Sequence, residues 1–332
     1  MEVYSMTKFT PDTTLREVRK LPEFADFAPF IMFNNQAPGE DPINPGLDPE
    51  DFTMKSPAVI EGLETLRGYV RDGVKVSHDF WTDEEKREVP GRKNTKLIFM
   101  PGKPGAPFVM VIAGGAYATV CSFLEGFPTA MRLNQMGINA FVLSYRVNET
   151  PLYPKPQEDL AAALRYIFAH ADEFRVDTEN YAVCGFSAGG SLTGSWGTKG
   201  LGYERFGLPR PGALMVCYGA SRVEAPKQGE PRNRFLDMMV GPDASPEQVK
   251  LVNNNANITP DYPPTFLWHC KDDPLVPFAN AIEMDEKLTE NGVPHVFKAV
   301  EKGGHGLGIA DGTPAAGWLE EAVAFWQSVC KK

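Results

Sequence analysis

Ser187 stands in Cys184-Gly185-Phe186-Ser187-Ala188-Gly189-Gly190, a Gly-x-Ser-x-Gly spacing. The apolar run Tyr181–Gly185 leads into it and the small residues Ala188–Gly194 lead out. A serine hydroxyl is a weak nucleophile until a base takes its proton. A sharp strand-to-helix turn exposes that hydroxyl, needs small neighbours to relieve crowding, and sets a helix N-terminus where negative charge develops. Read without chemistry, the same pattern is an ordinary strand-to-helix turn with an N-capping serine. Of the five histidines, His78 lies in an early strand, His170 ends a helix, His295 begins a strand and His269 closes one. His269 reads as a half-buried strand-end residue. His305, in Glu301-Lys302-Gly303-Gly304-His305-Gly306, follows the last strand in a glycine-rich loop that leaves its ring free to reach a serine on a neighbouring strand end. It is the expected base. A base of this kind needs an acid to fix its tautomer and steady the imidazolium. Asp272 and Asp273 follow the strand Thr265–His269, and two adjacent aspartates point different ways, so one of them is expected to reach His305.

These groups need a frame. From Gly73 onward, strand-length apolar runs alternate with helix-length amphipathic ones. Strands are expected over Val74–Trp81, Thr95–Met100, Phe108–Ala113, Ala140–Tyr145, Tyr181–Gly185, Ala213–Tyr218, Thr265–His269 and His295–Val300. Several are apolar throughout, as strands covered on both faces are. Leu160, Leu164, Ile167 and Phe168, then Ala281, Met284 and Leu288, then Leu319, Ala322, Val323 and Trp326 recur at helical spacing and read as core stripes. Alternation at this spacing predicts an α/β fold with a mostly parallel, doubly wound sheet and helices on both faces. Residues 1–72 read as an N-terminal arm or cap, with weakly helical segments at Thr14–Phe24 and Val59–Val70 around a Pro-, Gly- and Asp-rich loop. Residues 73–332 read as one domain. Within it, 221–264 lacks strand pattern and reads as a lid insertion with short helices near Asn233–Val240 and Pro246–Asn253. Its apolar cluster, Phe235, Leu236, Met238, Met239 and Val240, either closes over a substrate or anchors the insertion to the core.

The chain resembles the α/β-hydrolase superfamily, specifically the acetyl-xylan-esterase-like and lipase-like carboxylesterases. The resemblance rests on Gly114-Gly115-Ala116-Tyr117, Glu125-Gly126, Ser144-Tyr145-Arg146, Gly185–Gly190, Asp273–Pro277 and Lys302–Gly306, and covers about residues 95 to 330. The order serine, aspartate, histidine is that superfamily's order. The resemblance implies an eight-stranded sheet and favours Asp273 over Asp272, since the acid of similar proteins lies four residues before the proline. It also implies an oxyanion hole from the N–H groups of Gly115, Ala116 and Ala188. Here Ala113 stands where His is common and Ala116 replaces a third glycine, so the hole requires a turn that tolerates a Cβ. Tyr117 either lines the acyl pocket as a substrate-binding residue or packs. Arg146 and Glu125 read as salt-bridge or helix-start residues. The implied activity is hydrolysis of short-chain acyl esters, such as acetylated sugars, through an acyl-enzyme on Ser187. The alternatives are a serine peptidase or amidase of the same fold and a non-catalytic binding protein.

Composition bounds the rest. The 332 residues are 42% hydrophobic and 23% charged, enough for a large core without metal or disulfide staples. A formal net charge of −10 and the lack of a basic stripe argue against nucleic acid and anionic membrane as partners. The expected partner is a small-molecule ester, and association into a homo-oligomer stays open. Five scattered cysteines without a CxxC pair fit free thiols in a reducing compartment. With no basic-then-apolar leader and no long apolar run, a cytoplasmic protein is expected. No HExxH or other ligand spacing occurs, so neither metal nor cofactor is expected.

Overall fold

The computed structural model describes residues 8–34, 48–224 and 234–331. Its strands are β1 (Phe33–Asn34), β2 (Ser77–His78), β3 (Lys96–Met100), β4 (Pro107–Ile112), β5 (Thr119–Val120), β6 (Asn139–Ser144), β7 (Asp177–Phe186), β8 (Ala213–Cys217), β9 (Thr265–Cys270) and β10 (His295–Val300). Its α-helices are α1 (Leu15–Arg19), α2 (Pro57–Arg71), α3 (Asp83–Glu88), α4 (Phe127–Gln135), α5 (Lys155–Ala169), α6 (Ala171–Phe174), α7 (Ala188–Trp196), α8 (Arg234–Val240), α9 (Pro246–Val252), α10 (Ala279–Glu290) and α11 (Trp318–Cys330).

Eight strands form one sheet in the order β10-β9-β8-β7-β4-β6-β3-β2. From β10 to β6 the pairings are parallel, and β3 runs antiparallel to both its neighbours. The central strands β4 and β8 are apolar and buried along nearly their whole length, because helices cover both faces. The chain leaves β4 for β6 on one side and returns to β7 on the other. The crevice beyond the carboxyl ends of β4 and β7 is therefore the topological switch point, where α/β sheets hold their ligands.

The expected strands are present, with one shortened. The expected strand Val74–Trp81 pairs only at Ser77 and His78, opposite Ile98 and Leu97. The chain then turns into α3, whose cap is a reciprocal pair between Thr82 and Glu85. The helical stripes on α5, α10 and α11 face the core, except that Phe168 is half-buried. The N-terminal residues form α1, short 3₁₀ turns and α2, and contribute Leu15, Val18, Phe24 and Leu63 to the same apolar core as the sheet. The strand β1 pairs antiparallel with β5, and Thr119 Oγ1 donates to the Phe33 carbonyl at 2.6 Å. Parts of the expected arm, 1–7 and 35–47, and part of the expected lid, 225–233, lie outside the described residues.

Candidate active site

β7 ends at Phe186 and α7 begins at Ala188, so Ser187 alone makes the turn, with φ 51° and ψ −116°. A non-glycine residue there costs about 1–3 kcal/mol unless its surroundings impose it. The Ser187 N–H donates to the Cys217 carbonyl on β8, and its carbonyl accepts from Ser191, both at 2.9 Å. The flanking glycines have a steric reason. A Cβ on Gly185 would lie 2.1 Å from the Gly189 carbonyl oxygen, and one on Gly189 2.1 Å from that of Ile112. Strand and helix can approach this closely only without side chains.

Three strand ends away, the loop after β10 brings His305 Nε2 to 2.9 Å from Ser187 Oγ. His305 Nδ1 lies 2.7 Å from Asp273 Oδ2. Asp273 is fully enclosed as a side chain and surrounded by donors. Its Oδ1 accepts the N–H groups of Leu275 and Val276 at 2.8 and 2.9 Å, and Oδ2 also faces His269 Nε2 at 3.0 Å. Burial alone would push this carboxyl up, but the hydrogen bonds from His269, His305, Val276 and Leu275 outweigh it and hold it well below the usual carboxylate range. Asp273 therefore stays an anion. His269 Nε2 also faces the Val276 carbonyl at 2.9 Å, so with two acceptors that nitrogen carries the hydrogen. His269 is not half-buried as expected but 1% exposed, a fixed donor to the same oxygen that His305 uses. Asp272 points the other way. Its Oδ1 accepts from the N–H groups of Gly303 and Gly304, both at 2.9 Å, and so anchors the loop that carries His305.

The turn after β4 carries Gly115, Ala116 and Tyr117. Ala116 and Tyr117 both take the left-handed backbone, at φ 52° and 58°. For L-residues that costs roughly 1–2 kcal/mol each. Ala118 and Thr119 donate to the Gly115 carbonyl and close the turn, and Tyr145 donates its hydroxyl to the Ala113 carbonyl at 2.9 Å. Among the described residues, no backbone carbonyl accepts from the N–H of Gly115, Ala116 or Ala188. A Cβ on Gly114 would sit 2.8 Å from Ser187 Cβ, so this turn lies directly against the serine.

Tyr117 is fully buried. Its hydroxyl meets that of Tyr153 at 2.7 Å, and its ring packs on Tyr145 and on Phe235 of α8. Arg146 has the expected ion pairs, to Asp159 at 3.0 Å and Glu158 at 2.8 Å. Of the two places expected for it, Glu125 takes the helix start, ahead of α4. It lies in a π-helical turn, Ser122–Gly126, and among the described residues no Lys, Arg or His pairs with it. Instead Gly114 N–H donates to its Oε2 at 2.6 Å and Tyr218 O–H to its Oε1 at 2.8 Å. Sequence reasoning did not single out Tyr218, whose one signal was its position at the carboxyl end of β8. Its ring meets the His305 ring edge-on at 4.9 Å.

A serine on a strained strand-to-helix turn, at the carboxyl edge of a sheet with this strand order, is the arrangement of the α/β-hydrolase fold. The family model described as BD-FAE matches residues 98–288, more than half of the sequence, and the chain belongs to that family. Among curated proteins it is 28% identical over 219 residues to endo-1,4-beta-xylanase B of Butyrivibrio fibrisolvens, covering 63% of this chain and 34% of that protein. It is 27% identical over 240 residues to esterase LipC of Mycobacterium tuberculosis, covering 68% of this chain and 59% of that one. The chain thus spans between a third and three-fifths of these relatives' length. Among solved structures, the acetyl ester-xyloside bifunctional hydrolase from Caldicellulosiruptor lactoaceticus superposes with a TM-score of 0.63 at 26% identity, covering 76% of this chain and 96% of that one. No helix of the described residues is long and apolar enough to cross a membrane.

Proposed function

We propose that the chain hydrolyses carboxylic esters through an acyl-enzyme on Ser187, and that its substrates are short acyl esters such as acetylated sugars. The observation that carries this reading is the continuous chain Ser187 Oγ, His305, Asp273, with contacts of 2.9 and 2.7 Å. Asp273, an anion, accepts from Nδ1–H of His305, which leaves Nε2 as the acceptor facing the serine hydroxyl. Ser187 Oγ attacks the ester carbonyl carbon while its proton passes to His305 Nε2. The carbonyl oxygen takes the electron pair and is met by the N–H groups of Ala116 and Ala188, with Gly115 beside them. As the C–O bond to the alcohol breaks, His305 returns the proton to the leaving oxygen. Water then attacks the acyl carbon, giving its proton to His305, and the serine is regenerated as the acid leaves.

The sugar part of the reading draws on the names of two of the similar proteins, a xylanase and an acetyl ester-xyloside hydrolase. Two measurements test the proposal on the full chain. A fluorophosphonate probe should label the wild type at Ser187 and leave a folded Ser187→Ala variant unlabelled. A panel of 4-nitrophenyl esters, acetylated xylo-oligosaccharides and peptide amides should give turnover on the acetyl esters that Ser187→Ala abolishes. Near-wild-type turnover in Ser187→Ala would sink the mechanism. Preferred cleavage of the amides would replace the ester reading with a peptidase, and a chain that neither labels nor turns over any substrate would be a binding protein.

A further inference from the structure

Glu125 poses an energetic question that the acyl-transfer steps leave unanswered. It is 5% exposed, and an unpaired ionised carboxylate in such a place is expensive. The ionisable groups nearest it are Tyr218 and Cys217 at the end of β8, Tyr145 after β6, and His305; none of them is a fixed cation. The hydrogen bonds it accepts suit the anion. Gly114 N–H can only donate, so Oε2 accepts. The Tyr218 oxygen already accepts from Gly308 N–H at 3.0 Å, so its own hydrogen goes to Glu125 Oε1 at 2.8 Å. Burial pushes the Glu125 carboxyl up, against the pull of the Gly114 N–H and the Tyr218 hydroxyl.

The partners show what this arrangement connects. Gly114 opens the turn that carries Gly115 and Ala116, and it is wedged so tightly that a Cβ there would stand 2.8 Å from Ser187 Cβ and 3.1 Å from Glu125 Oε2. Gly308 lies in the loop that carries His305. The Tyr218 ring fills the space between, edge-on to the imidazole at 4.9 Å. Resting on the reading that Ser187 and His305 perform acyl transfer, we propose that Glu125 and Tyr218 are a positioning pair for that reaction: together they tie the Gly114–Ala116 turn to the His305 loop and hold a fixed negative charge one aromatic ring behind the imidazole. Asp273 steadies the imidazolium from its Nδ1 side, and Glu125 adds a second, more distant anion on the Tyr218 side. The other groups facing His305 are Ser187 and Asp273.

The test is the pH profile of kcat and KM for 4-nitrophenyl acetate in the wild type, Glu125→Gln, Tyr218→Phe, the double variant and Ser187→Ala. Folding is checked by circular dichroism. Glutamine keeps the shape and removes the charge, so an imidazolium formed beside it is less favoured. The acid limb of kcat/KM should then move to lower pH by about half a unit or more. Its plateau kcat should fall about tenfold, less than the ~10²–10³ seen when an oxyanion donor itself is lost, with KM little changed. Tyr218→Phe leaves the carboxyl in place and cuts the tie, so kcat should fall. The two kcat losses should not multiply in the double variant, because each breaks the same unit. An unmoved or upward-shifted limb in Glu125→Gln overturns the electrostatic part of the proposal. A Tyr218→Phe enzyme within twofold of wild type at every pH overturns the tie, and it does so even if Glu125→Gln fails to fold. Activity that survives in Ser187→Ala would instead strike the acyl-transfer reading itself, which separates the two failures.

Discussion

Asp272 and Asp273 are neighbours in the chain with different work. Asp273 accepts four hydrogen bonds and faces His305, whereas Asp272 holds the backbone of Gly303 and Gly304. Asp273→Asn should lower kcat by about 10⁴, because the amide favours the wrong imidazole tautomer. Asp272→Asn should cost far less, since the amide oxygen can still accept from both glycine N–H groups. Equal losses in the two variants would overturn this division of roles. A stability consequence follows from the carboxylate's depressed titration. A carboxyl whose folded-state pKa lies below its unfolded value, about 3.9 for aspartate, stabilises the fold above that value and loses the effect as pH falls toward the folded value. The gap in Tm between wild type and Asp273→Asn should therefore narrow as pH drops from about 5 to about 2, and a constant gap would contradict it. Ser187 and His305 were legible in the sequence because each sits in a few consecutive residues that fix its surroundings. The contact between Glu125 and Tyr218 was not, because it joins residues 93 positions apart and no local pattern encodes it.

At the scale of elements, the central strands could be read because apolar runs covered on both faces need no context to identify them. The shortening at β2 could not, because it depends on where an edge strand stops finding a partner. The insertion between β8 and β9 was read as holding one or two short helices, and the described part holds α8 and α9. Its apolar cluster divides. Leu236 and Met239 are buried, and the N–H groups of Leu152 and Tyr153 donate to the carbonyls of Met238 and Met239. Phe235 remains half-buried on the Tyr117 ring. Two variants should therefore behave differently. Met239→Ala removes a fully buried side chain and should cost about 2–5 kcal/mol, seen as a lower Tm. Phe235→Ala should leave labelling by a small fluorophosphonate intact while changing the ranking of acyl chain lengths in kcat/KM. If Phe235→Ala lowered Tm and left the ranking alone, the segment would be an anchor and nothing more.

Across the whole molecule, residues 15–31 share the core of the sheet. Leu15, Val18, Leu21, Phe24, Phe27 and Ile31 are all buried in the same apolar cluster as β4 and β7. Burial of one shared core makes unfolding cooperative, so a calorimetric melt should show a single transition, and a separate early transition assigned to residues 8–34 would contradict this. The short ribbon of β1 and β5 extends the point to a matter of time. It ties Phe33 and Asn34 to Thr119 and Val120, and Thr119 closes the turn that carries Ala116. Backbone groups in such a ribbon exchange their hydrogens with heavy water only when the ribbon opens, and the opening free energy belongs to the cooperative unit as a whole. The protected N–H groups of residues 33–34 and 119–120 should thus report one common opening free energy, and a ligand that stills the turn at Ala116 should slow exchange in a strand more than 80 residues earlier in the chain.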